Sequence, residues 1–193
     1  MANRIYLYSS NDKPGKKKIK FKGIGEHPYN PPFDFEIMAH KVKGIGESII
    51  WDKDNNGEII KNIYSDYSTG YGYLMKFYLQ LIKLYADEDE IQDKVKESLT
   101  FLNKNKGRYL ITEYAEIAAM SDDNLNKEIV AYAKNISKNT IKKLSTFLKL
   151  ENKNQLDSWC KKNSIYHDFE TFYEEGLAVN YPDESWSNVL YYG

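Results

Sequence analysis

The sequence predicts an α+β fold, with a small, mainly antiparallel sheet formed by the N- and C-terminal segments and packed against a central block of helices. Three observations predict it. Short runs of β-branched and aromatic residues stand at both ends of the chain. Apolar residues recur at helical spacing through the middle. The 193 residues are 41% hydrophobic and 28% charged, which is enough to bury a core without disulfide or metal staples, so one domain over residues 1–193 is expected.

Ile5 and Leu7, alternating with Tyr6 and Tyr8, read as a first strand. Asn11, Asp12, Pro14 and Gly15 make the following turn, and Ile19 and Phe21 between lysines begin a second strand. Pro28, Pro31 and Pro32 interrupt regular structure before a short helix within Phe33 to Val42. Ser48 to Trp51 and Glu58 to Ile60 read as two short strands around an Asp-Asn-Gly loop. Leu74, Phe77, Tyr78, Leu81, Ile82 and Tyr85 form the clearest amphipathic helix. A second stripe, Ile91, Val95, Leu99 and Leu102, runs from near Asp87 to a stop at Gly107, and Tyr109 to Ile111 suggest a strand. Ser121, Asp122 and Asp123 offer a helix start for Leu125, Ile129, Tyr132, Ala133 and Ile136. Ile141, Leu144, Phe147 and Leu148 form another stripe, and Leu156, Trp159 and Cys160 one more. Ser187 to Tyr192 reads as a closing strand in the same sheet as the first.

The net charge of −1 gives no global attraction to polyanions or anionic membranes. Its distribution is uneven. Residues 164–193 contain no Lys or Arg but hold Asp168, Glu170, Glu174, Glu175, Asp183 and Glu184 among many aromatics. Lys16, Lys17, Lys18, Lys20 and Lys22 cluster near the start, yet Arg4 and Arg108 are the only arginines for bidentate phosphate or guanine contacts, so nucleic acid is not the expected partner. No apolar run approaches the roughly 20 residues that span a bilayer. The start lacks the apolar stretch of a secretory signal, and the single Cys cannot form an internal disulfide, so the cytosol is the expected compartment.

The motifs are sparse. Asp52, Asp54, Asn56 and Gly57 match the start of a calcium loop, but its twelfth position is Ile63 instead of a bidentate Glu, which favours a hairpin turn. Gly23-Ile24-Gly25, Gly44-Ile45-Gly46 and Gly70-Tyr71-Gly72 lack the continuation of a nucleotide loop and read as turns or bulges; the last runs into the strong helix, whose amides could face an anion. Lys-Gly-Ile-Gly-Glu occurs at residues 22–26 and again at 43–47 without matching flanks. Cys160 with His27, His40 or His167 is the nucleophile set available to a small hydrolase-type enzyme assembled from scattered Cys, His and acidic residues. Cys160 lies on an apolar stripe, where a buried thiol is the ordinary outcome. No motif calls for a cofactor or a metal.

Met1-Ala2-Asn3-Arg4-Ile5-Tyr6-Leu7-Tyr8 resembles the opening of an uncharacterised bacterial family beginning Met-Ala-Asn-Arg-Ser-Tyr-Leu-Tyr, with Ile5 in place of the Ser. Ser185 to Tyr192 is similar to that family's terminal segment. The resemblance brings no activity; some orphan bacterial proteins of this type look similar to the immunity proteins of toxin systems. The expected function is therefore a cytosolic protein-binding protein, in its most specific form an immunity protein that neutralises a toxin domain. Its acidic aromatic surface, Glu174, Glu175, Tyr181, Asp183, Glu184 and Trp186, would meet a basic partner, because aromatics anchor interfaces while carboxylates steer a positive surface.

Overall fold

Alternating side chains set the centre of the sheet. In the computed structural model, which describes residues 3–15, 19–28, 31–86, 89–121 and 124–164, β1 (Arg4–Ser10) buries Ile5 and Leu7 and turns Tyr6 and Tyr8 to the opposite face. It is flanked on both sides, by β2 (Phe21–Pro28) and by β5 (Tyr109–Glu113), in antiparallel pairing. β5 in turn pairs with β4 (Lys61–Asp66), and β4 with β3 (Val42–Glu47), giving the order β2-β1-β5-β4-β3. The strands are thus not confined to the chain ends. The two neighbours of β1 come from residues 21–28 and 109–113, and the expected closing strand, Ser187 to Tyr192, lies outside the described residues. Residues 48–51 and 58–60 are not strands; Lys53 and Ile59 form one isolated bridge above a tight turn, in which Asp54 Oδ1 accepts from the amides of Asn56 and Glu58 and Gly57 takes a φ of 81°. Both copies of Lys-Gly-Ile-Gly-Glu fall on the edge strands of the described sheet, and each carries a bulge.

One face of the sheet carries Ile5, Leu7, Ile63, Ser65, Leu110 and Thr112 and is covered by helices α1 (Phe33–Ala39), α2 (Tyr67–Leu84) and α5 (Leu125–Phe147). The Ser65 hydroxyl donates to the carbonyl of Ala39, tying α1 to that face. α2 begins seven residues before the apolar stripe at Leu74, because Asp66 caps it by accepting from the Thr69 amide. Gly70-Tyr71-Gly72 therefore lies inside the helix, and its free amides are not presented to an anion. α3 (Asp89–Lys104) follows α2. α5 fuses the two stripes expected on either side of residue 138 into one helix of 23 residues, capped by Asn124 and not by Ser121. α6 (Lys153–Asn163) closes the described chain, setting Trp159 edge-on against Phe33 and Phe147.

The opposite face holds Tyr6, Tyr8, Ile111, Glu113, Tyr64 and Asn62. The segment after β3 crosses it, held by Glu113, and the short helix α4 (Ala115–Ala118) borders it, held through Glu116. Among the described residues no helix is long and apolar enough to cross a membrane.

Candidate binding groove

α5 has two working faces. Ile129, Tyr132, Ala133, Ile136, Thr140, Leu144 and Phe147 are buried against the body of the protein. A second stripe, Val130, Ala133, Ser137 and Ile141, with Lys134, Lys138 and Lys142 beside it, runs along the side of the helix at the same helical spacing. That stripe faces β3. The bulge at β3 makes Val42 and Ile45 both pair with core-facing positions of β4, Ser65 and Ile63, so their side chains point to the helix side and floor a groove. Asn126 fixes the start of α5 beside the sheet, its Oδ1 accepting from the Lys61 amide at 3.0 Å and its Nδ2 donating to the Ile59 carbonyl at 3.1 Å.

The groove has two continuous sections that share Val42, Ser137 and Lys138. The first, about 530 Å³, lies between Val42 and Ile45 on the strand and residues 130–138 on the helix, and is mostly apolar. The second, about 480 Å³, lies between His40, Lys41 and Val42 and residues 137–142, with Thr69 and Tyr73 of α2 closing its end. Helix numbers rise as strand numbers fall, so α5 and β3 run antiparallel along the cleft. Lys41, Lys134, Lys138 and Lys142 are the charged residues lining it, and no carboxylate is among the described lining residues. Lys43, on the same strand, is already paired with Asp66 at 3.8 Å.

His40 sits at the junction of α1 and β3, 5% exposed, with its ring edge-on to Tyr73 at 4.9 Å. Its Nδ1 lies 2.7 Å from the Ile37 carbonyl. A carbonyl only accepts, so Nδ1 carries the proton and Nε2 is the lone-pair nitrogen. Desolvation lowers the His40 pKa below the ordinary histidine value, against that hydrogen bond, and the ring is neutral at pH 7. The positive charge of the groove is therefore lysine charge.

A second polar cluster lies on the other face of the sheet. Tyr6 pairs in register with Glu26 on one side and Glu113 on the other. Glu113, 0% exposed, accepts from the Ser48 hydroxyl at 2.7 Å, the Ile49 amide at 2.9 Å and Asn62 Nδ2 at 3.1 Å. Desolvation pushes its pKa up, and these bonds pull against the rise. Tyr6 donates to Glu116 at 2.9 Å, Arg4 pairs with Glu26 at 3.2 Å, and burial beside Glu116 raises the Tyr6 pKa. These bonds fasten the segment after β3 and helix α4 to the sheet and tie β1 to β2. Among the described residues no group of three or more His, Cys, Asp or Glu side chains could hold a metal ion.

The sequence-predicted binding residues, Glu174, Glu175, Tyr181, Asp183, Glu184 and Trp186, lie outside the described residues, as does His167. Cys160 is buried on α6, and a thiol that solvent does not reach packs as a small hydrophobe. His27 is half-buried, edge-on to Phe35 of the core, while His40 is committed to the groove's end. The sequence does not announce the groove, because Gly44-Ile45-Gly46 on one wall has turn preference and the apolar positions of α5 on the other drift around the helix. The spacing of Lys134, Lys138 and Lys142 over Val130, Ser137 and Ile141 is the signal that finds it. The sequence pattern of a domain of unknown function, DUF7822, matches residues 10–152, a span that contains every groove-lining residue. No curated protein and no solved structure matches the chain.

Proposed function

We propose that this chain, which belongs to the DUF7822 family, is a protein-binding protein whose recognition surface is the groove between β3 and α5, and that it takes an acidic segment of its partner. The supporting observation is the combination in one open cleft of an aliphatic floor, Val42, Ile45, Val130 and Ile141, with a rim of Lys134, Lys138 and Lys142. An aliphatic floor suits side chains better than phosphates, and lysine point charges select carboxylates without the bidentate geometry that nucleic-acid readers draw from arginine.

The test is fluorescence anisotropy of a labelled ten-residue peptide of alternating glutamate and valine with the full chain. Lys134→Glu, Lys138→Glu and Lys142→Glu combined should weaken binding at least tenfold while leaving the melting temperature near that of the parent, because all three lysines are exposed. Equal binding by parent and triple variant, or preferential binding of a single-stranded oligonucleotide, overturns the reading.

The acidic aromatic segment supports a second reading, in which residues 164–193 engage a basic partner such as a toxin domain. Its test exchanges Glu174, Glu175, Asp183 and Glu184 for their amides. Binding of a lysine-rich peptide should fall; unchanged binding removes this reading.

A further inference from the structure

Among the described residues, the groove has one wall of backbone, and that wall is open. β3 ends the described sheet on the side away from β4. The Ser48 amide donates to the Ile60 carbonyl, continuing the β3–β4 ladder by one residue. Antiparallel strands alternate inward and outward backbone groups, so Gly44, Gly46 and Ser48 face β4, while the N–H and C=O of Ile45 and the N–H of Glu47 point away from it; the Glu47 carbonyl already accepts from Asn62 Nδ2 at 2.8 Å. Ile45 thus offers its side chain to the groove floor and its backbone to whatever lies alongside.

The far wall has a matching spacing. Lys134, Lys138 and Lys142 recur every four residues, about 6 Å along a helix. Alternate side chains of an extended chain recur at about 6.8 Å. Over three positions these spacings stay in step to within about 2 Å, a mismatch that flexible lysine stems absorb. A helical acidic ligand could set carboxylates four residues apart on that row, but its backbone groups bond within the helix and would leave the strand edge unpaired.

We infer that the occupant binds as an added β-strand: an extended acidic peptide pairs its backbone with Ile45 and the Glu47 amide, and its alternate glutamates fall on the helix-side face, with their methylene stems beside Val42 and Ile45 and their carboxylates at the α5 lysines. The inference rests on the groove being the recognition surface and adds how the ligand is held. The α5 lysines select the ligand, while Glu47, whose side chain shares the helix-side face with Ile45, disfavours a carboxylate at that end of the strand. Lys43 contributes little, since Asp66 already engages it.

The test uses the full chain and three forms of the glutamate–valine peptide: unmodified, N-methylated at every glutamate, and N-methylated at every valine. In a strand the two sets of amides lie on opposite edges, so the methylations block one edge each while preserving charge and side chains. Strand addition is expected to cost one methylated form at least tenfold in affinity and leave the other within about threefold of the parent. Hydrogen exchange at the Ile45 and Glu47 amides should slow on binding of the unmodified peptide. If the two methylated forms bind alike, or exchange at these amides is unchanged, strand addition is overturned even where acidic-peptide binding survives. Absence of binding by the unmodified peptide instead removes the groove reading itself.

Discussion

Asp34 sits in the first turn of α1, accepting from the Phe35 amide at 2.8 Å and from the Tyr78 hydroxyl at 3.3 Å. Desolvation dominates, and its carboxyl pKa rises from 3.8 to about 7. The native state therefore binds this proton more tightly than the unfolded chain. Stability from that difference is full below the unfolded pKa and is lost as pH rises through the folded one. The loss between pH 4 and pH 8 is on the order of 3 kcal/mol for this group. Asp34→Asn keeps the shape and removes the ionisation, so its urea midpoint should exceed the parent's at pH 8, with the gap closing toward pH 4. Parallel stability curves for the two proteins would sink this account. Glu36 and Glu113 shift in the same direction, so part of the slope should persist in the variant. Glu113→Ala takes the acceptor from the Ile49 amide and the Ser48 hydroxyl and leaves Asn62 Nδ2 with the Glu47 carbonyl alone, and should cost about 2–3 kcal/mol. Hydrogen exchange should quicken first at Ile49, in the segment this carboxylate fastens. Such buried carboxylates were invisible in the sequence, where Asp34, Glu36 and Glu113 look like any surface acid; only the register that places Glu113 beside Tyr6 explains its burial.

At the level of elements, α2 and α1 approach closely where a side chain would not fit. A Cβ on Gly70 would collide with the Met38 carbonyl. Helix preference favours Ala over Gly by about 1 kcal/mol, but backbone is a rigid obstacle and overpacking of this kind costs about 1–3 kcal/mol or more. Gly70→Ala should therefore lower the melting temperature, whereas Gly72→Ala, with nothing near the added carbon, should raise or preserve it. A rise in both would show that the helices separate freely. The amphipathic stripes of α2, α3 and α6 were legible because one face of each is apolar and the other charged. β3 was not, because Val-Lys-Gly-Ile-Gly-Glu has weak strand preference, and its extended form depends on pairing with β4 and on a bulge that no local pattern announces. α5 was split because its apolar positions drift across the helix surface between Ile136 and Ile141, as one buried face gives way to the groove wall.

Among the described residues, one buried cluster takes residues from β1, β2, β4 and β5 and from every helix. Trp159 joins its last helix to the rest, edge-on to Phe33 at 5.5 Å and Phe147 at 5.1 Å, with its Nε1–H donating to the Thr146 hydroxyl at 2.8 Å. Trp159→Ala should cost about 3–5 kcal/mol. Unfolding followed by far-UV circular dichroism and by tryptophan fluorescence should give coincident transitions; separated ones would mean that α6 melts independently. The placing of β1 between β2 and β5 also sets a timetable. The first neighbour arrives within some twenty residues, but Leu7 meets Thr112 only after more than a hundred further residues have been made. During synthesis the oldest strand thus waits half-paired, with its inner edge open, while both arms of α2 and α3 emerge. The joining of β1 to β5 closes the longest loop in the sheet, so it governs the rate at which the chain escapes that exposed interval, and a slower-emerging β5 prolongs it.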